Sequence, residues 1–284
     1  MWPLSNSGRE PRPRTLEEQP NRVREHALPR CEDTRLVNRP TLVERTAYEP
    51  KLPVEEFMVP LLKGKIEGIL EGLPICDTEY KVLDLGCGGQ PFRHLFEKRG
   101  HKYVSADAQD PLGIVDCIVE VDKELPEALL STGPFDFILC TEVMEHVADW
   151  DQAFTNFGRL LKTRGRILIT CPHFYILHEE PYDFWRPTIY ALRFYSMKHN
   201  LGEIVLEPLG DSWDVLGTVL GAGYDSLKPR RQDEFLNRIS ARFWNCMFKA
   251  SYKALAKRWL QKRYVLSNEL YPVYLSNVAL FEKQ

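Results

Sequence analysis

Lys81-Val82-Leu83-Asp84-Leu85-Gly86-Cys87-Gly88-Gly89-Gln90-Pro91-Phe92 is the stretch whose reading decides the fold. Val82 to Leu85 is an apolar run that stops at glycines, the pattern of a buried parallel strand entering a tight turn. Gly86, Gly88 and Gly89 remove side chains where the backbone would approach a ligand closely. A helix is predicted from about Phe92 to Arg99, with its free N–H groups pointing back over the turn. Asp84 sits at the C-terminal tip of the strand. A dinucleotide turn asks for Gly-x-Gly-x-x-Gly, and Pro91 stands at the third glycine position, which disfavours an NAD-dependent enzyme.

Working outward, strands and helices alternate. Tyr103 to Ala106 is a second strand ending at Asp107, and Asp116 to Val121 a third ending at Asp122. Phe135 to Cys140 is a fourth, followed by Thr141-Glu142-Val143-Met144-Glu145-His146-Val147. Trp150 to Leu161 reads as a helix with Phe154, Phe157, Leu160 and Leu161 on one side. A turn at Lys162-Thr163-Arg164-Gly165 leads into a fifth strand, Arg164 to Cys171. Ile189 to His199 is a helix, Glu203 to Leu209 a sixth strand and Tyr274 to Phe281 a seventh. Before the first strand, Val54 to Glu71 is a helix despite Pro60. This alternation predicts an α/β fold with a doubly wound, mostly parallel sheet.

The ordered set Asp84-x-Gly86-x-Gly88, Asp107, Asp122, Phe135-Asp136, Glu142-x-x-Glu145-His146-Val147 and Arg159-Leu160-Leu161-Lys162-x-x-Gly165 resembles the class I S-adenosylmethionine (SAM) methyltransferases of the type 11 group, over about residues 80–210. The resemblance implies a Rossmann-like seven-stranded sheet whose last strand inserts antiparallel between the fifth and sixth. It implies SAM as cofactor, held by Asp84, Gly86, Cys87, Gly88, Asp107, Ala108, Asp122, Thr141 and Glu142. In the family the acid of the first motif supports the ammonium group, the acid after the second strand takes the ribose hydroxyls, and that after the third meets the adenine edge. The chain departs from the family at two places. Gln90 stands where many members have a third glycine, and Thr163-Arg164 replaces a usual Pro-Gly.

Methyl transfer from a sulfonium needs an acceptor atom held in line and water excluded. A hydroxyl acceptor also has to lose its proton, which a histidine can take. His146, His173 and His178 are the candidates, and O-methylation is slightly favoured. Glu142, Glu145 and His146 fall at i, i+3 and i+4, one face of a helix, and some Glu-x-x-Glu-His methyltransferases hold a divalent metal this way; metal-free relatives also carry Glu-His-Val, so both remain open. His173 to Arg186 is dense in aromatic and polar groups and leaves the fifth strand on the ligand side of the sheet. It is expected to wall the acceptor site, with Thr188 capping the next helix.

The 284 residues carry a net charge of −3 and are 44% hydrophobic, enough for one domain with appendages and without a global nucleic-acid signature. Residues 1–50 hold seven prolines, nine arginines and eight acids. That composition predicts a disordered or loosely docked arm, followed by a SAM domain over 51–284 with a helical insertion at about 211–265. Within it, a helix is predicted from Gln232 to Arg263. From Lys228 to Arg263 there are eleven basic and two acidic residues, a net +9, which leaves −12 on the rest. This basic helix 228–263 is a candidate contact for an anionic or membrane surface. Seven scattered cysteines suggest a reducing, cytoplasmic setting. No apolar run reaches membrane-spanning length and no signal-peptide core is seen. The acceptor is open: a small molecule, glycan or lipid-linked group. Competing functions are a catalytically silent SAM-fold binding subunit and a nucleic-acid methyltransferase.

Overall fold

The computed structural model describes residues 46–75, 79–224, 235–258, 262 and 273–284. The predicted N-terminal arm lies outside these residues except for its last five positions. There Tyr48 packs its ring 5.0 Å from that of Phe92. The basic helix is described only in part.

The chain enters through a 3-10 turn, Pro53–Glu55, and α1, Met58–Glu71. The sequence predicted one helix from Val54. Instead Pro60 falls in the first turn of α1, where its missing N–H costs nothing. Next come β1 (Lys81–Leu85), α2 (Arg93–Glu97), β2 (Lys102–Asp107) and β3 (Cys117–Ile118). Then follow α3 (Glu127–Thr132), β4 (Phe135–Thr141), α4 (Trp150–Leu160) and β5 (Leu161–Pro172). The chain closes with α5 (Ile189–Lys198), β6 (Leu201–Leu209), α6 (Ser212–Tyr224), α7 (Phe235–Ala256) and β7 (Ser276–Lys283).

The seven strands form one sheet in the order β3-β2-β1-β4-β5-β7-β6. β7 runs antiparallel to both neighbours and the described pairs from β3 to β5 are parallel, as the resemblance implied. The ligand edge of such a sheet is the C-terminal end of β1, β2 and β4. Successive strand residues feed opposite faces. Leu83, Val104, Ile138 and Ile169 pack under Phe154, Phe157 and Leu192, while Val82, Phe137 and Leu168 pack under Leu62, Ile66, Leu70 and Phe96.

Local differences from the expectations have local causes. β3 is two residues long because Asp116 leaves the ladder: its carboxylate accepts from the N–H and Oγ–H of Ser105, 2.9 and 2.8 Å away. The turn expected at 162–165 is folded into the start of β5 as a bulge, where pairing with β4 shifts between Phe135 and Phe137. Both departures from the family pattern sit in left-handed backbone, with φ of +57° at Gln90 and +67° at Arg164. Such a position favours glycine. Gln90 is secured by its own side chain, which donates to the Ile114 carbonyl (2.7 Å) and accepts from Arg93 (2.9 Å).

α6 falls within the expected helical insertion at about 211–265, where the sequence predicts only the later helix individually. It lies on the entry turn, and Gly217 and Gly221 are what let it: a Cβ at either would run into the Phe57 ring or the Pro53 carbonyl. Thr188 does occupy the N-cap position of α5, but its side chain makes no cap hydrogen bond.

Candidate active site

The glycine turn after β1 is bonded onto β2, with the N–H groups of Gly86 and Cys87 both donating to the Ala106 carbonyl. Gly86 (φ +75°) and Gly88 (φ +46°) are left-handed. Gly86 is also tight, since a Cβ there would collide with Val143 in the loop after β4. Asp107 braces this turn. Its Oδ2 accepts from the Gly88 N–H at 2.9 Å and its Oδ1 from that of Gln109 at 3.1 Å. No helix starts after it, so it is not a helix cap. Ala108 beside it is exposed.

Asp84 is buried within β1, not left at an open tip. Burial pushes its carboxyl up to about 7, although the Tyr103 hydroxyl donates to it at 2.6 Å. Tyr103 was not among the residues singled out from sequence. Nothing in a lone aromatic of a strand announces it; the β1–β2 register puts it opposite Val82, one diagonal step from Asp84 on the same face. Cys87 is buried, and burial pushes its thiol up, so it is an apolar filler of the turn and not a nucleophile. Asp122 does not end the third strand as expected but lies four residues beyond β3; it accepts from the N–H of Asp149 at 3.2 Å, which ties the β3 loop to the start of α4.

After β4 the chain does not continue into the α-helix that the i, i+3, i+4 spacing predicted. Glu142 has a φ of +53°, and only Met144–His146 winds, as a single 3-10 turn. That turn separates the acids. Glu142 goes toward Ser276 of β7, whose Oγ is 3.4 Å from it, and burial lifts its carboxyl to about 7. Glu145 lies beside His146 and His178 and is fully buried. Neither of its carboxylate oxygens has a hydrogen-bond partner, and burial first, then the charge of Glu142, raises its affinity for a proton well above the usual range.

Two imidazoles face that carboxylate. The Nε2 atoms of His146 and His178 lie 3.8 and 3.9 Å from Glu145 Oε1, and the rings meet edge to face at 4.8 Å. Each ring is held through its other nitrogen. His146 Nδ1 is 3.0 Å from the Tyr182 carbonyl, and His178 Nδ1 is 3.2 Å from both the Ile176 carbonyl and Asp183 Oδ2. Acceptors at Nδ1 place the N–H there and leave the Nε2 lone pair for the cluster. Burial, opposed by Asp183 and assisted by His146, lowers the proton affinity of His178 and keeps it neutral.

The segment between β5 and α5 delivers His178. It is sewn to the 3-10 turn by the N–H groups of Phe184 and Trp185, both donating to the Glu145 carbonyl, and by the Trp185 indole, donating to the Val147 carbonyl at 2.8 Å. Asp183 and Arg186 form a two-pronged ion pair at 2.6 Å on each prong. His173 is not brought to the cluster. Its ring stacks on Tyr274 at 4.2 Å and its Nδ1 lies 3.0 Å from the Pro187 carbonyl, a packing position.

A sequence profile described as "Methyltransferase domain" matches residues 56–201, about half of the chain. The chain belongs to the methyltransferase-domain family. Among curated relatives of this chain, a ubiquinone biosynthesis O-methyltransferase of Nitrosomonas europaea is 30% identical over 121 residues, covering 39% of this chain and 50% of that protein. The protein of the same name from a Chelativorans species is 35% identical over 98 residues, covering 31% and 39%. The chain thus spans about half the length, or less, of these relatives. A solved SAM-dependent methyltransferase from Archaeoglobus fulgidus has a TM-score of 0.47 at 14% identity, covering 79% of this chain and 94% of that one.

The residues of this chain fit SAM as a methyl donor. SAM presents an ammonium, two ribose hydroxyls and an adenine. The ligand edge of this chain carries Asp107 at the end of β2, Asp122 in the loop after β3 and the buried Asp84 near the end of β1, beside a turn without Cβ atoms at Gly86 and Gly88. A divalent ion has a fitting set too, although not the one expected. Glu145, His146 and His178 bring one carboxylate oxygen and two imidazole nitrogens within 4.8 Å of one another, and the carboxylate is otherwise unpaired. Glu142 is not in that group. Two imidazoles and one carboxylate suit Zn²⁺, Mn²⁺ or Fe²⁺ better than an all-oxygen ion site does.

Proposed function

We propose that this chain methylates an oxygen of a small-molecule acceptor, and that the reacting hydroxyl sits against His146, His178 and Glu145. The observation that carries the proposal is that two imidazoles, each with its Nδ1 against a backbone carbonyl, turn their Nε2 atoms toward one buried carboxyl that has no hydrogen-bond partner. An amine acceptor needs only positioning, whereas a hydroxyl must give up a proton, and this cluster is built to receive one. The names of the relatives support a hydroxylated ring as acceptor class.

SAM, when bound, supplies a methyl group already activated by its sulfonium. The chain does the rest. Asp84, Asp107 and the glycine turn hold the donor at the strand ends. The Phe184–Trp185 backbone, tied to Glu145, closes the acceptor side and keeps water out. Nε2 of His178 or His146 takes the hydroxyl proton, and for His178 the Asp183 carboxylate at Nδ1 stabilises the imidazolium that results. A divalent ion held by Glu145, His146 and His178 would lower the hydroxyl pKa directly in their place.

The test is SAM consumption over a panel of phenols, alcohols and amines with the product identified by mass spectrometry, run with and without a chelator. Methylated phenol or alcohol is expected. Methylation of amines alone would overturn the proposal. Loss of turnover with chelator, restored by one divalent ion, would assign the cluster to metal, and indifference to chelator would assign it to proton transfer.

A further inference from the structure

Helix α7 has two sides with opposite requirements. One side is sealed on the domain. Tyr252 and Leu255 are buried, the Tyr252 hydroxyl donates to the Pro53 carbonyl at 3.3 Å, and Phe248 lies where a Cβ on Gly223 of α6 would stand 2.6 Å from its ring. These contacts fix the rotation of the helix. They turn Ile239, Phe243, Trp244 and Met247 outward, 48%, 58%, 65% and 48% exposed. Ile239, Phe243 and Met247 are four residues apart and so form one stripe, which Trp244 widens. A solvated helix face carries charge at such positions; two adjacent exposed aromatics mark a contact surface.

Charge chooses what the contact is. No acid occurs from Phe235 to Arg258. Arg242, Lys253 and Lys257 are exposed along the edge of the stripe. At its C-terminal end a hollow of about 440 Å³ is lined by Lys253, Ala254, Lys257 and Lys262. The apolar stripe and the cations share one outward side, the pattern of a helix lying in a lipid interface. A second copy of α7 would set this row of cations against itself. Outside residues 228–263 the chain carries −12, so an anionic surface repels the rest and admits this helix. Among the described residues no helix is long and apolar enough to cross a membrane.

We propose that α7 docks the chain on an anionic lipid bilayer, with Phe243 and Trp244 at the acyl boundary and Lys253, Lys257 and Lys262 on headgroup phosphates. The proposal stands apart from the acceptor reading, since its test measures binding and not methylation.

The full chain is sedimented with vesicles of phosphatidylcholine, alone or with about one-third phosphatidylglycerol. Binding is expected to be at least tenfold tighter with the anionic lipid and to fall with salt. Lys253→Glu/Lys257→Glu should weaken it by about fivefold or more per charge, and Phe243→Ser/Trp244→Ser by at least tenfold, both with unchanged SAM affinity as the sign of an intact fold. No binding of the wild-type chain to anionic vesicles, or equal binding by wild type and both variants, overturns the proposal. So does a wild-type dimer in sedimentation velocity that Phe243→Ser/Trp244→Ser converts to monomer without any vesicle binding, which would make this face a contact between copies.

Discussion

The two halves of the site are built on opposite plans. On the donor side every named acid has a partner within the chain: Asp84 has Tyr103, Asp107 has the Gly88 and Gln109 amides, and Asp122 has the Asp149 amide. On the acceptor side Glu145 is more deeply buried than Asp107, and neither oxygen of its carboxyl has a hydrogen-bond partner. The donor half is thus a finished scaffold whose groups keep their geometry alone. The acceptor half stores an unsatisfied charge site, which costs stability and is tolerated where function uses it.

The contrast is sharpest in His178→Ala. Turnover is expected to fall about a hundredfold or more, while SAM affinity by calorimetry stays within about twofold. Equal loss of both would show that the two halves are one unit. Asp107→Ala tests the other half. Loss of hydrogen bonds to a charged acceptor predicts a SAM dissociation constant about ten- to hundredfold higher, with a floppier glycine turn visible as faster amide exchange at Gly88. An unchanged constant would make Asp107 a brace of the turn only.

A smaller effect comes from pH. Asp84 has a folded pKa of about 7, above its unfolded value, so between pH 4 and 7 the folded state binds more protons. Its contribution to stability is therefore present in acid and lost as pH rises to neutrality. Asp84→Asn should match wild type near pH 4 and melt about 5 °C or more higher at pH 8, while binding SAM more weakly. A variant that melts lower at pH 8 would contradict the burial cost. The smallest effect belongs to Thr188→Ala. With no cap bond to lose, the melting temperature should move by less than about 2 °C. A larger drop would show that the acceptor segment depends on the start of α5.

The elements that carry the donor-side residues were legible because their signals are local. A strand that ends in glycines, and the acids that follow the next two strands, are close in sequence to the elements that place them. Gln90 and Arg164 were legible as departures from a pattern, and both prove to sit in the left-handed backbone that makes glycine usual there. The acceptor half was only half legible. His146 and His178 were named with His173 in no order, because three histidines near one sheet edge are equivalent until a ring nitrogen is given a partner.

What the sequence determined by itself was the alternation of strands and helices, the glycine turn and the amphipathic, basic nature of the final helix, all of which follow from periodicity, glycine and charge acting over a few residues; the seven-stranded sheet with its antiparallel last strand was what the family resemblance implied. Tertiary structure decided the rest. It put a left-handed Glu142 and a 3-10 turn where spacing alone predicted a helix face, which sends Glu142 to β7 and Glu145 to the histidines. It carried His178 across to His146 by bonds from Phe184 and Trp185 to a carbonyl about forty residues earlier, and it turned His173 onto Tyr274. Such contacts join segments far apart in the chain, and backbone hydrogen bonds to a carbonyl leave no mark on residue type, so no local pattern can announce them.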